Sequence, residues 1–195
     1  MDKVQELHAK NTARAWEIVE DTDIVNIWKS VGAEPNLVGS LKMDLLIKHR
    51  DIDFHVYSSS LKLSESYEAM SKLAANKSIK KIESVNLIHT EEECIEWHAW
   101  YQDIDGDLWQ LDIINILRGS FFDGYAEKFT DRMLAVMTPE TKQAILQLKY
   151  NTPDDEKILS LEYYQAVVKD GVRNYAEFTE WRKNNPVNGL ILWMP

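Results

Sequence analysis

The chain has 195 residues, 45% of them hydrophobic and 28% charged, with few Gly and Pro, which is the make-up of a globular protein with room for a substantial core. Its 32 acids outnumber 22 bases for a formal net charge of −10. That balance argues against a nucleic-acid polymer as main partner, since a phosphate backbone asks for a basic footprint. The single cysteine, Cys94, rules out an intrachain disulfide and a cysteine-rich zinc site. No apolar run approaches a membrane span, so no membrane partner is expected, and the charged start MDKVQELHAK is no signal peptide. The expected location is cytoplasmic.

Residues 3–20 carry Val4, Leu7, Ala15, Ile18 and Val19 as a helical stripe broken at Asn11. A short helix follows from Thr22 or Asp23 through IVNIWKSV, with Gly32 placed to end it. NLVGS reads as a strand entering a turn at Gly39-Ser40, and KMDLLIKH as a connection into the strand DIDFHVYS. Residues 64–75 read as helix; KIESVNLIH, CIEWHAWYQD and LWQLDIINIL read as three strands. Asp105-Gly106 between the last two is the signal of a two-residue type I′ hairpin. On that register Ala99 lies opposite Asp112, Trp97 and Tyr101 share Asp112's face, and His98 points away as a structural residue. A bulge would reverse those facings.

From Phe121 the period changes from 2 to 3.6, giving four helical segments with Pro139 in a first turn and Gly171 as a stop. The fold class expected is α+β: a mixed β-sheet with flanking helices over 1–120, and a helical region over 121–195 packed on it. The apolar end GLILWMP should dock on the core or make a homodimer contact.

The chemistry gathers around HRDIDF, His49–Phe54. In a strand, residues i and i+2 share a face, so Asp51 and Asp53 stand side by side while Ile52 and Phe54 face the core. The bland alternative is an edge strand with a wet polar face. Asp112, in WQLDII, is a third acid amid apolar β-residues and is costly to bury without a partner. Three carboxylates from two strands make an oxygen cage for Mg²⁺ or Mn²⁺. Gly39 and Ser40 offer backbone N–H groups and a hydroxyl in a tight turn, the local chemistry that cradles phosphate oxygens. Lys42 and Arg50 are bases that could help to meet a triphosphate, with His49, Lys48 and Arg118 as further candidates. Cys94 is expected to be buried and inert.

Gly-Ser, a spacer, Asp-x-Asp on a strand and a third Asp on a later strand resemble the signature of the nucleotidyltransferase superfamily, the fold of DNA polymerase β. The wording of Asp44-Leu45-Leu46 and His49–Phe54 is most similar to the lincosamide and aminoglycoside adenylyltransferase branch. The chain departs from that branch in having Gly39-Ser40-Leu41 where Gly-Gly-Trp is frequent. The resemblance, over roughly residues 24–117, implies that Asp51, Asp53 and Asp112 bind metal and form the catalytic triad. It also implies that Gly39 and Ser40 hold the nucleotide's phosphates.

The reaction expected is attack of an acceptor hydroxyl on the α-phosphorus of a nucleoside triphosphate, with release of pyrophosphate. Because no segment interleaves basic and aromatic residues, the acceptor expected is a small hydroxyl compound, with Asp123 and Tyr125 as candidates for its wall. Two alternatives stand beside this reading: a non-catalytic domain that keeps the fold to bind a ligand or a protein, and a divalent-metal hydrolase that uses water.

Overall fold

The computed structural model describes residues 2–187 and 193–195. In chain order the first elements are α1 (Lys3–Thr22), α2 (Ile24–Lys29), β1 (Glu34–Val38), α3 (Gly39–Lys42), β2 (Asp51–Ser58) and α4 (Leu63–Ala74). Three strands follow, β3 (Ile79–Leu87), β4 (Cys94–Gln102) and β5 (Leu108–Leu117). The helices α5 (Tyr125–Val136), α6 (Pro139–Asn151), α7 (Ser160–Tyr164) and α8 (Tyr175–Asn184) close the chain, with a π-helical turn, Gln165–Lys169, continuing α7. This is the expected α+β class. No described helix is long and apolar enough to cross a membrane.

Local chemistry sets the helix starts. Asp2 caps α1 by accepting from the Val4 N–H, and Asn174 caps α8 by accepting from the Glu177 N–H. Thr138 and Thr141 cap α6 reciprocally, with Pro139 in its first turn.

The strands form one sheet in the order β1-β2-β5-β4-β3. β2 and β5 are parallel and the other neighbours antiparallel. β2, with its two aspartates, is therefore an interior strand and not an edge. Alternation sends Ile52, Phe54 and Val56 to the face that packs under α1, α2 and α4, where Trp28, Trp97 and Ile113 complete the main core. Asp51, Asp53 and His55 take the opposite face.

A second core lies among the later helices, with Phe129, Met133, Ile145, Leu148, Tyr163 and Phe178 at its centre. The connection after α3 serves both. Met43 and Leu45 enter the helical core, Leu46 enters the sheet core, and Ile47 joins Val4 and Leu146 in a third cluster. Of the apolar tail, Trp193 packs edge-on to Phe129 at 6.0 Å and Met194 joins the same core. Gly189–Leu192 lie outside the described residues.

The β4–β5 hairpin departs from expectation. The Gly106 N–H donates to the Asp103 carbonyl at 3.1 Å and the Asp103 N–H to the Asp107 carbonyl at 2.9 Å. Gly106 has φ +86°, whereas Asp105 is not left-handed. The loop is thus a turn followed by a left-handed glycine, with one residue more than a type I′ turn. The Asp103 carboxylate holds it by accepting from the N–H groups of Asp105 and Asp107 and from the Trp109 indole. The extra residue shifts the register so that His98, not Ala99, faces Asp112. Trp97 and Tyr101 consequently lie in the core, and His98 and Trp100 share Asp112's face.

Candidate active site

β2 and β5 run in parallel register with Asp53 directly beside Asp112, and Asp51 one step along the same face. The three acids predicted as a set therefore stand on one face of two adjacent interior strands. Burial first, and then the charges of Asp51 and Asp112, hold the Asp53 carboxyl well above the ordinary carboxylate range. Lys149 and the Ser40 backbone N–H pull in the opposite direction.

The third carboxylate is held from its own side. Asp112 Oδ1 lies 2.6 Å from His98 Nδ1 and accepts from Gln110 Nε2 at 2.7 Å. His98, expected to point away, is thus Asp112's direct partner, because the longer hairpin loop turned β4 over. With that oxygen occupied, the described residues contain no group of three His, Cys, Asp or Glu side chains drawn together as a preformed metal cage.

Gly39 follows β1 in the left-handed conformation, φ +70°, and presses on the site. A Cβ at this position would fall 2.0 Å from Asp53 Oδ2, so only glycine fits between the turn and the carboxylate. The Ser40 hydroxyl belongs to a buried polar knot. It lies 3.0 Å from the Tyr164 hydroxyl and accepts from Lys149 Nζ at 2.9 Å. Lys149 also donates to the Leu45 carbonyl and the Tyr164 hydroxyl, each at 3.2 Å. A lysine buried to 4% exposure beside a carboxylate cluster is the chief cation of this site, and neither Lys42 nor Arg50 takes that place. Lys42 is exposed, and Arg50 pairs with Asp107 at 2.7 Å on the hairpin side. Lys48 pairs with Asp154, and Arg118 with Glu34 and Asp123. Lys149 was legible: Ile145 and Lys149 are four apart on α6, which places the lysine on the helix's buried stripe.

From Gly39, Asp51 and Asp53 a cavity of about 270 Å³ runs beneath α5 and α7. Its walls include Tyr125, Phe129, Tyr164 and Trp193, and His55 lies on its floor two residues beyond Asp53. Burial lowers the His55 pKa below its ordinary value, with Glu127 opposing. Asp123, offered with Tyr125 as a wall residue, instead pairs with Arg118. Cys94 is buried, and burial first, with Glu96 and Glu92, pushes its thiol up to about 11. A buried thiol held up in this way is a poor nucleophile.

The donor chemistry fits a divalent cation: the strand register brings three hard carboxylates to one face of β2 and β5, although their side chains are not drawn together into a cage. Asp51, Asp53 and Asp112 are the side chains that would hold it.

No protein-family model matches the chain, and no curated protein matches it in sequence. Solved structures do match in fold. The Cid1 poly(U) polymerase with MgGTP bound superposes with a TM-score of 0.53 at 16% identity, over 82% of this chain and 55% of that one. The same polymerase with Mg 3′-dATP bound gives 0.50 at 17% identity, over 82% and 54%. The GLD-2/RNP-8 complex gives 0.57 at 11% identity, over 95% and 68%. This chain thus spans little more than half the length of the poly(U) polymerase.

These likenesses correct one expectation. A fold shared with a poly(U) polymerase removes the ground for excluding a nucleic-acid polymer and for a small hydroxyl compound as acceptor. Net charge sums over the whole surface and so limits long phosphate tracks, but it does not bar a single chain end from one cleft. The closer likeness in wording to the lincosamide branch gains nothing from these structures. What they establish is the fold alone, one shared with the poly(U) polymerase and with the GLD-2/RNP-8 complex.

Proposed function

We propose that this chain transfers a nucleoside monophosphate from a nucleoside triphosphate to the terminal 3′-hydroxyl of an RNA, with Mg²⁺ as the natural cation and Mn²⁺ as a substitute. The observation that carries the reading is the register of β2 and β5, which sets Asp53 beside Asp112 with Asp51 on the same face. The choice of RNA rests on the fold shared with the poly(U) polymerase. A non-catalytic binding domain would have no physical reason to keep three mutually repelling acids on one interior face.

Each side chain has work to do in that reaction. Asp51, Asp53 and Asp112 hold the cation, which when bound offsets the charge of the triphosphate. Lys149, supported by Ser40 and Tyr164, supplies fixed positive charge at the Gly39–Ser40 turn, where the phosphates would lie. Asp112, held by His98 and Gln110, takes the proton from the acceptor hydroxyl in this reading. The acceptor O–H bond breaks, a bond forms from that oxygen to the α-phosphorus, and the bond to pyrophosphate breaks.

The test is incubation of the purified chain with Mg²⁺, each α-labelled nucleoside triphosphate and a single-stranded oligoribonucleotide. Label should enter the oligonucleotide with release of pyrophosphate, and Asp53→Asn should abolish it. Absence of transfer to RNA with every nucleotide, in either metal, would refute the proposal.

A further inference from the structure

His8 on α1 is a buried side chain that the reaction does not use. It is 7% exposed, and acceptors face both of its ring nitrogens. Nδ1 donates to the Leu46 carbonyl at 2.6 Å, with the Thr12 hydroxyl 3.3 Å from the same nitrogen, and Nε2 lies 3.1 Å from Asp44 Oδ1. Asn11, three residues on, shares that face of α1 and donates to the Ile47 carbonyl. The Asp44 carboxylate also pairs with Lys142 of α6, and Asp44 itself is held at φ +58°, a left-handed conformation uncommon outside glycine.

These contacts fall on a buried stretch that is neither helix nor strand, so its carbonyls have to be met by side chains. They are met from two helices: Leu45 by Lys149 of α6 at 3.2 Å, Leu46 by His8 and Ile47 by Asn11 of α1. Leu45 is also tied to the glycine turn, its N–H donating to the Ser40 carbonyl at 2.8 Å. Peptide groups are planar, so only the φ and ψ of Leu46 separate the carbonyl that His8 holds from the one that Lys149 uses. An ammonium has three donors, and Lys149 directs them at Ser40, Tyr164 and Leu45. A turn of the Leu45 carbonyl would leave one buried N–H unpaired, and the ammonium would shift toward another acceptor.

We infer that His8 is a positioning residue for Lys149: by holding the Leu46 carbonyl and the Asp44 carboxylate from α1, it fixes the Leu45 carbonyl against which the ammonium beside Asp53 is set. The inference rests on the reading that Lys149 meets the triphosphate. His8 itself touches neither substrate nor reacting atoms, and acts only through the connection.

The experiment measures the affinity of the whole chain, with Mg²⁺, for inorganic tripolyphosphate by calorimetric titration well below each protein's melting temperature. His8→Leu should weaken binding about tenfold, the low end for losing a partner that orients a binding group. His8→Asn keeps a donor near the Nδ1 position and should restore most of the affinity. His8→Gln, whose amide reaches toward Asp44 instead, should restore less. Val4→Ala loosens α1 against Ile47 without removing a hydrogen bond, and should bind as the wild type does. If His8→Leu binds no more weakly than Val4→Ala, or if His8→Asn and His8→Gln bind alike, the positioning role is refuted while the nucleotidyltransferase reading stands on its transfer assay. If the wild type binds no tripolyphosphate, the place of Lys149 at the phosphates falls and this inference falls with it, whereas label transfer to RNA decides the wider reading separately.

Discussion

Replacing Gly39 by alanine would strike the proposed site through the backbone alone. Two terms add. At φ +70° an alanine pays for the left-handed conformation, about 1–2 kcal/mol. Its Cβ would also lie 2.0 Å from Asp53 Oδ2, 2.7 Å from Cγ and 2.9 Å from Cβ. An ordinary non-bonded contact is roughly 3.5 Å, so the carboxylate must retreat by about 1.5 Å. Gly32 separates the terms, because it has φ +79° and a Cβ added there would meet nothing within 4 Å. Gly32→Ala should therefore lose only the backbone term, seen as a fall in melting temperature of roughly 2–8 °C for a chain of this size. Gly39→Ala should lose that and more. Displacing a group by about an ångström at a reacting centre is worth roughly a hundredfold in rate. Urea unfolding gives the first quantity for both variants, and nucleotide transfer with the Mg²⁺-induced rise in stability gives the second. If Gly39→Ala matched Gly32→Ala in all three, Asp53 would not be the group that Gly39 makes room for.

The remaining predictions concern the carboxylates. Asp53 has a folded-state pKa above its ordinary 3.8, so in chelator the folded state binds more protons, and stability present at acid pH should be lost as pH rises above that value and through the raised one. Asp53→Asn should flatten this dependence in a denaturation series, and parallel curves for variant and wild type would refute the assignment. His98→Leu frees Asp112 Oδ1 from one of its two partners and should lower the transfer rate about 10–100-fold, the usual effect of losing a residue that orients a metal-binding group. His98→Asn, which keeps a donor, should restore much of it and with it the Mg²⁺-induced thermal shift; equal loss in both variants would mean that His98 only fills space.

How far the sequence carried these conclusions varies from residue to residue. The strand DIDFHVYS coincides with β2, because period-2 alternation with β-branched and aromatic residues leaves few alternatives. His55 shares the parity of Asp51 and Asp53 and could have been read with them. The partner of Asp112 could not, because it depends on the number of residues in one hairpin loop. Asp-Gly suits both a two-residue turn and the longer loop with a left-handed glycine. The choice is made by the Asp103 carboxylate and the Trp109 indole, a contact between side chains rather than a local propensity. One residue of difference exchanged Trp97 and Tyr101 for His98 and Trp100 on the carboxylate face. Arg50 illustrates the opposite error. It directly precedes the aspartates in the chain, yet its guanidinium reaches Asp107, whereas the cation beside Asp53 comes from almost a hundred residues downstream.

The connection 43–47 bears on how the chain could be divided. Within these five residues, side chains enter three separate clusters: Met43 and Leu45 among the later helices, Leu46 under the sheet, and Ile47 between α1 and α6. A cut after β5 would leave the first fragment with three large apolar side chains facing water, and the second with holes where they had been. The loop is a seam sewn through both halves, so neither half is a portable module. A chimera that exchanged the helical half would have to carry residues 43–47 with it, and those residues sit between the glycine turn and the aspartate strand. Exchange of the cover is thereby tied to the geometry of the carboxylates.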